Sequence, residues 1–163
     1  TTTNCLQVSW LVRADMPAVL RIENATSPMP WTHETFTKTL RSRNAWGLAA
    51  RYNDTVVGYT VLDLYRDHMG ILNFAVDPDF TRMGFGSALM DKLKHKLSVH
   101  RRKAIEYIVR ESCLNGLLFL RSQGFLATHV VREHFGDEDG ILLRFGAETA
   151  VENRLASYFQ GGM

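Results

Sequence analysis

Short extended runs and amphipathic helical runs follow one another along the 163 residues in the order β-α-α-β-β-β-α-β-α-β-β. That order predicts an α/β domain without the regular alternation of a doubly wound sheet. Two further observations support the class. Hydrophobic residues make up 45% of the chain, enough for one sizeable core at this length. Turn signals separate neighbouring elements, and no repeat, low-complexity segment or linker divides the chain.

The run LQVSWLVR, beginning at Leu6, reads as the first strand. Asp15 stands before Met16-Pro17 as a helix N-cap followed by a first-turn proline, and the helix runs to about Asn24. SPMP breaks it, and Thr32 opens a second helix, HETFTKTLRSR, with Phe36 and Leu40 four apart on one face. Two strands, AWGLAARY and TVVGYTVLDLY, flank Asn53-Asp54, a hairpin signal weaker than Asn-Gly because no glycine occupies the turn. HMGILNFAV is the next strand. A third helix is expected from about Gly84 to His100, burying Leu89, Leu93 and Leu97 and turning Lys92, Lys94 and Lys96 to solvent. AIEYIVR is a fifth strand, CLNGLLFLRSQ a fourth helix stopped by Gly124, and FLATHVVREHF and GILLRF are two closing strands joined through acidic GDED. From Ala147, AETAVENRLASYF reads as a terminal helix packed on the domain or on a second copy, as in a homodimer. Residues 1–146 are thus the domain body and 147–163 its helical extension.

The charge balance excludes little but directs attention to local sites. Lys and Arg number 19 against 17 Asp and Glu, so the net charge of +2 gives no argument for a nucleic-acid partner. Cys5 and Cys113 lie far apart without metal-ligand spacing, so neither a zinc site nor a disulfide framework is expected. No apolar run approaches the roughly 18 residues of a membrane span, and the polar start TTTNCLQ lacks a signal pattern. The expected setting is a reducing cytoplasm.

The stretch NFAVDPDFTRMGFGSALMDKLKHKL carries the chemistry. It passes from an apolar strand through two glycines into a helix. A helix start leaves unpaired N–H groups and a partial positive charge, so a glycine turn entering it can hold a phosphate through the backbone. Gly84 and Gly86 permit close approach, and Arg82 adds a planar cationic fork, which suits a pyrophosphate. Alone, the glycine pair equally fits a tight structural turn. There is no Gly-Lys-Ser/Thr for a nucleotide P-loop and no third glycine for a dinucleotide fingerprint.

Three blocks together carry a resemblance. VDPDFTRMGFGSALMDKL is similar to the acetyl-CoA-binding motif of the Gcn5-related N-acetyltransferase (GNAT) superfamily, a Gln/Arg-x-x-Gly-x-Gly/Ala loop after the fourth strand. RIENATSPMPWTHETF and LFLRSQGF resemble segments of the bacterial ribosomal-protein alanine N-acetyltransferases, and the likeness covers roughly residues 6 to 145. The resemblance implies a mixed, mostly antiparallel central sheet flanked by helices, with splayed fourth and fifth strands that admit acetyl-CoA. It makes Phe74, Ala75 and Val76 the pantetheine-pairing segment and Arg82, Met83, Gly84, Phe85, Gly86 and Ser87 the pyrophosphate loop. The implied reaction is acetyl transfer to a primary amine, foremost a protein or peptide N-terminal α-amine, by direct attack in a ternary complex. A small amine is the other acceptor class.

Departures from the family pattern are equally specific. Thr81 takes the Gln/Arg position that opens the loop, although Arg82 follows it. Ile108 stands where the family's glutamate base is expected, Cys113 where a CoA-contacting asparagine is, and Leu120 where a tyrosine acid is. An α-amine of pKa about 7.7–8.0 is neutral to roughly a tenth at pH 7, so it needs less help from a base than a lysine does. Two residues are candidate replacements. Glu106 shares a strand face with Ile108 and would act through a water chain, while His134 offers an imidazole near the end of the sixth strand. Each is equally read as a surface or structural group. A module that retains the cofactor loop and has lost chemistry is the alternative function.

Overall fold

The computed structural model of the chain describes residues 5–146. Seven strands form one sheet in the order β1-β2-β3-β4-β5-β7-β6: β1 (Leu6–Trp10), β2 (Ala45–Tyr52), β3 (Thr55–Leu64), β4 (His68–Val76), β5 (Ala104–Arg110), β6 (Leu126–Val131) and β7 (Gly140–Gly146). Every neighbouring pair is antiparallel except β4 and β5, which run parallel. Four helices, α1 (Met16–Thr26), α2 (His33–Leu40), α3 (Phe85–Val99) and α4 (Leu114–Ser122), complete the expected mixed architecture. The proposed terminal helix beyond Ala147 lies outside the described residues.

Two apolar clusters explain why the helices sit where they do. On one face, Met16, Val19 and Ile22 of α1 and Phe36 of α2 pack on Tyr59, Val61 and Ala75. On the other, the expected α3 stripe of Leu89, Leu93 and Leu97 joins Leu48, Leu62, Met69, Ile105 and Leu120 of α4. Strand β3 is buried on both sides, hence its near-continuous Val, Gly, Tyr and Leu run in place of alternation. Asn53 and Asp54 both adopt positive φ, 49° and 65°, so the pair without glycine still makes a two-residue hairpin turn between β2 and β3.

Three local expectations are corrected. Asp15 precedes α1 but makes no side-chain cap there. Its carboxylate accepts from the Val12 N–H at 2.8 Å and from Arg51 Nη1 and Nη2 at 2.6 and 2.7 Å. The basic face of α3 is not simply solvated. Lys94 donates to the Gln123 carbonyl at 2.8 Å and lies 4.6 Å over Phe145, while Lys96 sits 4.7 Å over Trp10 and 4.8 Å over Trp46. Such contacts bury the lysine stems and pair their charges with aromatic faces. Strand β6 stops at Val131, because Glu133 turns the chain with φ 51° and Asp139 accepts from its N–H and from Arg132.

The feature that positions the site is an interrupted ladder. β4 and β5 pair from His68↔Ala104 to Ile71↔Tyr107 and no further, although β4 continues to Val76 and β5 to Arg110. On the other edge of β4, Val61 pairs with Asn73 and Leu62 with Ile71, leaving Leu72 as a one-residue bulge. The two strands therefore separate immediately beside the bulge.

Candidate active site

The opened strands form a fork whose mouth lies beside the glycine loop. Phe74, Ala75 and Val76 pair with Thr60, Tyr59 and Gly58 of β3, and their opposite edge has no β5 partner. After β4, the Asp77 side chain caps a single turn at Pro78–Phe80 by accepting from the Asp79 N–H at 3.0 Å. The chain then turns through Arg82 (φ 61°) and Gly84 (φ 88°) into α3. Phe85, Gly86 and Ser87 hold the first residues of α3, whose N–H groups precede the first intrahelical donor, that of Ala88 to the Gly84 carbonyl.

The glycines differ in what they provide. A Cβ on Gly84 would meet nothing within 4 Å, so that residue is required by its left-handed backbone and lies over an open cradle. A Cβ on Gly86 would lie 3.3 Å from Phe119 Cζ and 3.5 Å from Val76 Cγ2, so this glycine allows α4 to approach the start of α3. Arg82 and Met83 are exposed, whereas the Phe85 ring is core, 5.6 Å from Tyr52 and 5.9 Å from Phe80, leaving only its backbone to face a ligand. Ser87 Oγ accepts from Gln123 Nε2 at 3.1 Å. Phe119 of α4 also lies against the Phe74 ring, centroid to centroid 5.7 Å, and walls one side of the fork.

On the α1 side stands a buried polar cluster that the sequence reading missed. Glu23, 2% exposed, accepts from the Tyr59 hydroxyl, from Asn73 Nδ2 at 2.7 Å and from the Trp31 N–H at 3.3 Å. Burial, and then the Glu23 carboxylate, push the Tyr59 phenol far above its ordinary pKa, so it stays a neutral donor. Asn73 Oδ1 accepts from the Phe74 N–H at 2.9 Å, which carries the cluster to the fork. The available signal was a carboxylate on the apolar face of a helix, four residues after Val19.

The remaining expected residues are placed as follows. Glu106 pairs with Gly70 below the fork and accepts from Arg144 Nη1 at 2.5 Å, with His68 Nε2 at 3.6 Å. His134 is exposed in the loop after β6, and its ring stands edge-on to Phe135, 4.8 Å between centroids. A Cβ on Gly140 would lie 2.6 Å from Ile108 Cγ2 and 3.2 Å from His134 Cβ, so Gly140 packs against both side chains. Arg110 closes the end of β5. It bonds Asp137 at 3.1 Å and Glu138 at 2.8 Å, lies 4.5 Å over Phe135, and places Nη2 3.2 Å from Met29 Sδ. Met29 therefore meets the β6–β7 loop through Arg110, while Trp31 packs on Phe36 at 5.1 Å. Leu120 is buried, and Cys113 is exposed at the start of α4.

A parallel strand pair that opens beside a glycine-entered helix start is the arrangement that the resemblance to acyl-CoA-dependent transferases implies, and comparison with known proteins agrees. The model of the acetyltransferase (GNAT) family matches residues 16–125, and the chain belongs to that family. The ribosomal protein bS18-alanine N-acetyltransferase of Escherichia coli is 27% identical to it, over 82% of this chain and 89% of that one. The crystal structure of the S18-alanine N-acetyltransferase from Escherichia coli superposes with a TM-score of 0.79 at 25% identity, covering 87% of this chain and 94% of that one. Ard1 from Thermoplasma volcanium superposes with a TM-score of 0.81 at 24% identity, covering 87% and 97%.

Proposed function

We propose that this chain transfers the acetyl group of acetyl-CoA to the α-amine of a protein or peptide N-terminus. The observation that carries the reading is the β4–β5 fork, open beyond Ile71↔Tyr107 and ending at the helix start that Gly84 enters. Relatives named for acetylating the alanine of ribosomal protein S18 support the acceptor class. A ribosomal-protein acceptor also fits the cytoplasmic setting.

The residues present fit acetyl-CoA. The open cradle at Gly84, the positive-φ turns and the first N–H groups of α3 suit a pyrophosphate, with Arg82 alongside. The edge of Phe74, Ala75 and Val76 that has no β5 partner suits the amides of the pantetheine arm, with the Phe74 N–H held by Asn73 Oδ1. When bound, the thioester supplies an activated acyl carbon and a thiol leaving group. The acceptor amine enters from the side of Glu23, Ile108 and His134, between Met29 and the acidic 137–139 loop. Glu23 offsets positive charge developing on the attacking nitrogen, and positioning in the fork supplies much of the rate.

His134, exposed near Gly140 and so on the same side as Ile108, is the better placed of the two expected bases, because Glu106 is engaged by Arg144. The degenerate-module alternative draws support from Ile108 and Leu120, which have no ionisable group. Thiol release from acetyl-CoA, measured against peptides with varied N-terminal residues, N-blocked lysine peptides and polyamines, separates these readings. Turnover with free N-terminal peptides is expected. Binding of acetyl-CoA without turnover of any amine would favour the degenerate module, and turnover confined to polyamines would overturn the acceptor class.

A further inference from the structure

We propose that Tyr107 supplies the hydrogen-bond donor of this fork, its phenol bonding to the thioester sulfur as that sulfur takes up negative charge. The inference rests on the acetyl-CoA reading above. Leu120, at the position where the family resemblance leads one to expect an acid, brings no polar side-chain atom.

Direction along β4 locates the reacting end. The pyrophosphate loop follows Val76, so the ligand arm runs back along Val76, Ala75 and Phe74, and its thioester end lies toward the apex. The apex is the last ladder pair, Ile71↔Tyr107. Tyr107 packs on the α3/α4 core in the company of Phe74, Phe119 and Leu120, so its ring projects from β5 onto the face that Leu120 closes. A hydrogen bond from the Phe74 backbone N–H turns the phenol oxygen toward the unpaired stretch of β4. It therefore stands on the α3/α4 face at the apex, where β4 and β5 begin to part. Burial first, then Cys113 and Glu23, raise its pKa well above that of an ordinary tyrosine, so it remains a donor at every working pH.

The step balances without a further reactant. As the amine nitrogen bonds the acetyl carbon, the carbon–sulfur bond breaks and its electron pair goes to sulfur. The Tyr107 O–H donates to that sulfur and keeps its proton, since the phenol is the weaker acid of the pair. The nitrogen's surplus proton leaves toward His134 or water. Tyr107 thus acts by stabilising charge, where a freely ionising acid would act by proton transfer.

The test compares wild type with Tyr107→Phe, which removes one oxygen and retains the ring. The ultraviolet absorbance of the thiolate is followed against pH for CoA bound to each protein. A donor at sulfur makes the bound thiol a stronger acid in wild type than in the variant, by about tenfold or more in ionisation constant. Turnover number should fall on the order of a hundredfold in Tyr107→Phe while acetyl-CoA affinity holds within about twofold, and adding Leu120→Tyr should recover at least about tenfold. Identical thiol titrations in the two proteins, or a turnover number within about twofold of wild type, overturn the assignment. Failure of wild type to bind CoA overturns the acetyl-CoA reading itself, whereas binding with unchanged titration overturns only the role of Tyr107.

Discussion

Gly84→Val isolates the cradle from the fold. Gly84 sits at φ 88° and ψ 5°, and no atom lies within 4 Å of the position its Cβ would take. The substitution therefore meets no steric wall in the free protein and costs chiefly backbone strain. A non-glycine residue in the left-handed region costs about 1–2 kcal/mol, and a β-branched one somewhat more, so about 2–3 kcal/mol is expected. A domain of this size moves about 2–4 °C in Tm per kcal/mol, placing the variant roughly 4–12 °C below wild type and still folded. Acetyl-CoA at a hundred times its Kd should stabilise wild type by about 2.7 kcal/mol through binding to the native state alone. In the variant the new methyl groups fill the space a phosphate needs, so most of that ligand-induced rise should vanish. Thermal unfolding with and without acetyl-CoA measures both quantities at once. An equal ligand-induced rise in a folded Gly84→Val protein would refute the cradle argument, and an unchanged Tm without ligand would refute the strain argument.

Two further outcomes are expected. Arg51 holds the Asp15 carboxyl below its ordinary pKa, so the pair's stabilisation is present above about pH 4 and is lost as pH falls through the depressed folded value. Asp15→Asn should lower Tm at pH 7 by an amount corresponding to about 2–4 kcal/mol, and unfolding curves for the two proteins should converge as pH falls through the depressed folded value; parallel curves throughout the acid range would show that the pair contributes nothing. For the base, His134→Ala should cut turnover of an α-amine peptide about tenfold or more at neutral pH with acetyl-CoA affinity intact, while Glu106→Gln lowers Tm through the loss of Arg144's partner. Slow turnover in Glu106→Gln alone would reverse that assignment.

Local patterns announced most of the fold. The β4 and β5 strand limits, the Leu89, Leu93, Leu97 stripe and the Thr32 cap, which accepts from the Thr35 N–H, all arise within one element and stand where the sequence puts them. Properties set by distant partners were illegible. Asp15 reads as a cap until Arg51, 36 residues away, is seen to claim it. Lys96 reads as a solvated surface group until Trp10 and Trp46 lie beneath it. At the site, the glycine loop is visible because its chemistry is contiguous, whereas Glu23, Tyr59 and Asn73 come from three separate elements and acquire meaning only when the sheet joins them.

The bulge at Leu72 governs more than the width of the fork. Side chains on a strand alternate, and one extra residue reverses the parity of all that follow. Met69 and Ile71 face the α3/α4 core, and so do Phe74 and Val76, while Asn73 is turned toward Glu23 and Ala75 toward α1. Were the bulge ironed out with Leu72 kept in the ladder, strict alternation would send Phe74 and Val76 into the α1 layer and draw the Asn73 amide away from Glu23. It would also remove the local irregularity at which β4 stops pairing with β5. In this stretch the bulge absorbs the extra residue: deleting Leu72 would leave Asn73 and Phe74 on their present faces and remove only the irregularity, whereas an inserted residue not taken up by a bulge would exchange the inside of the protein for its outside.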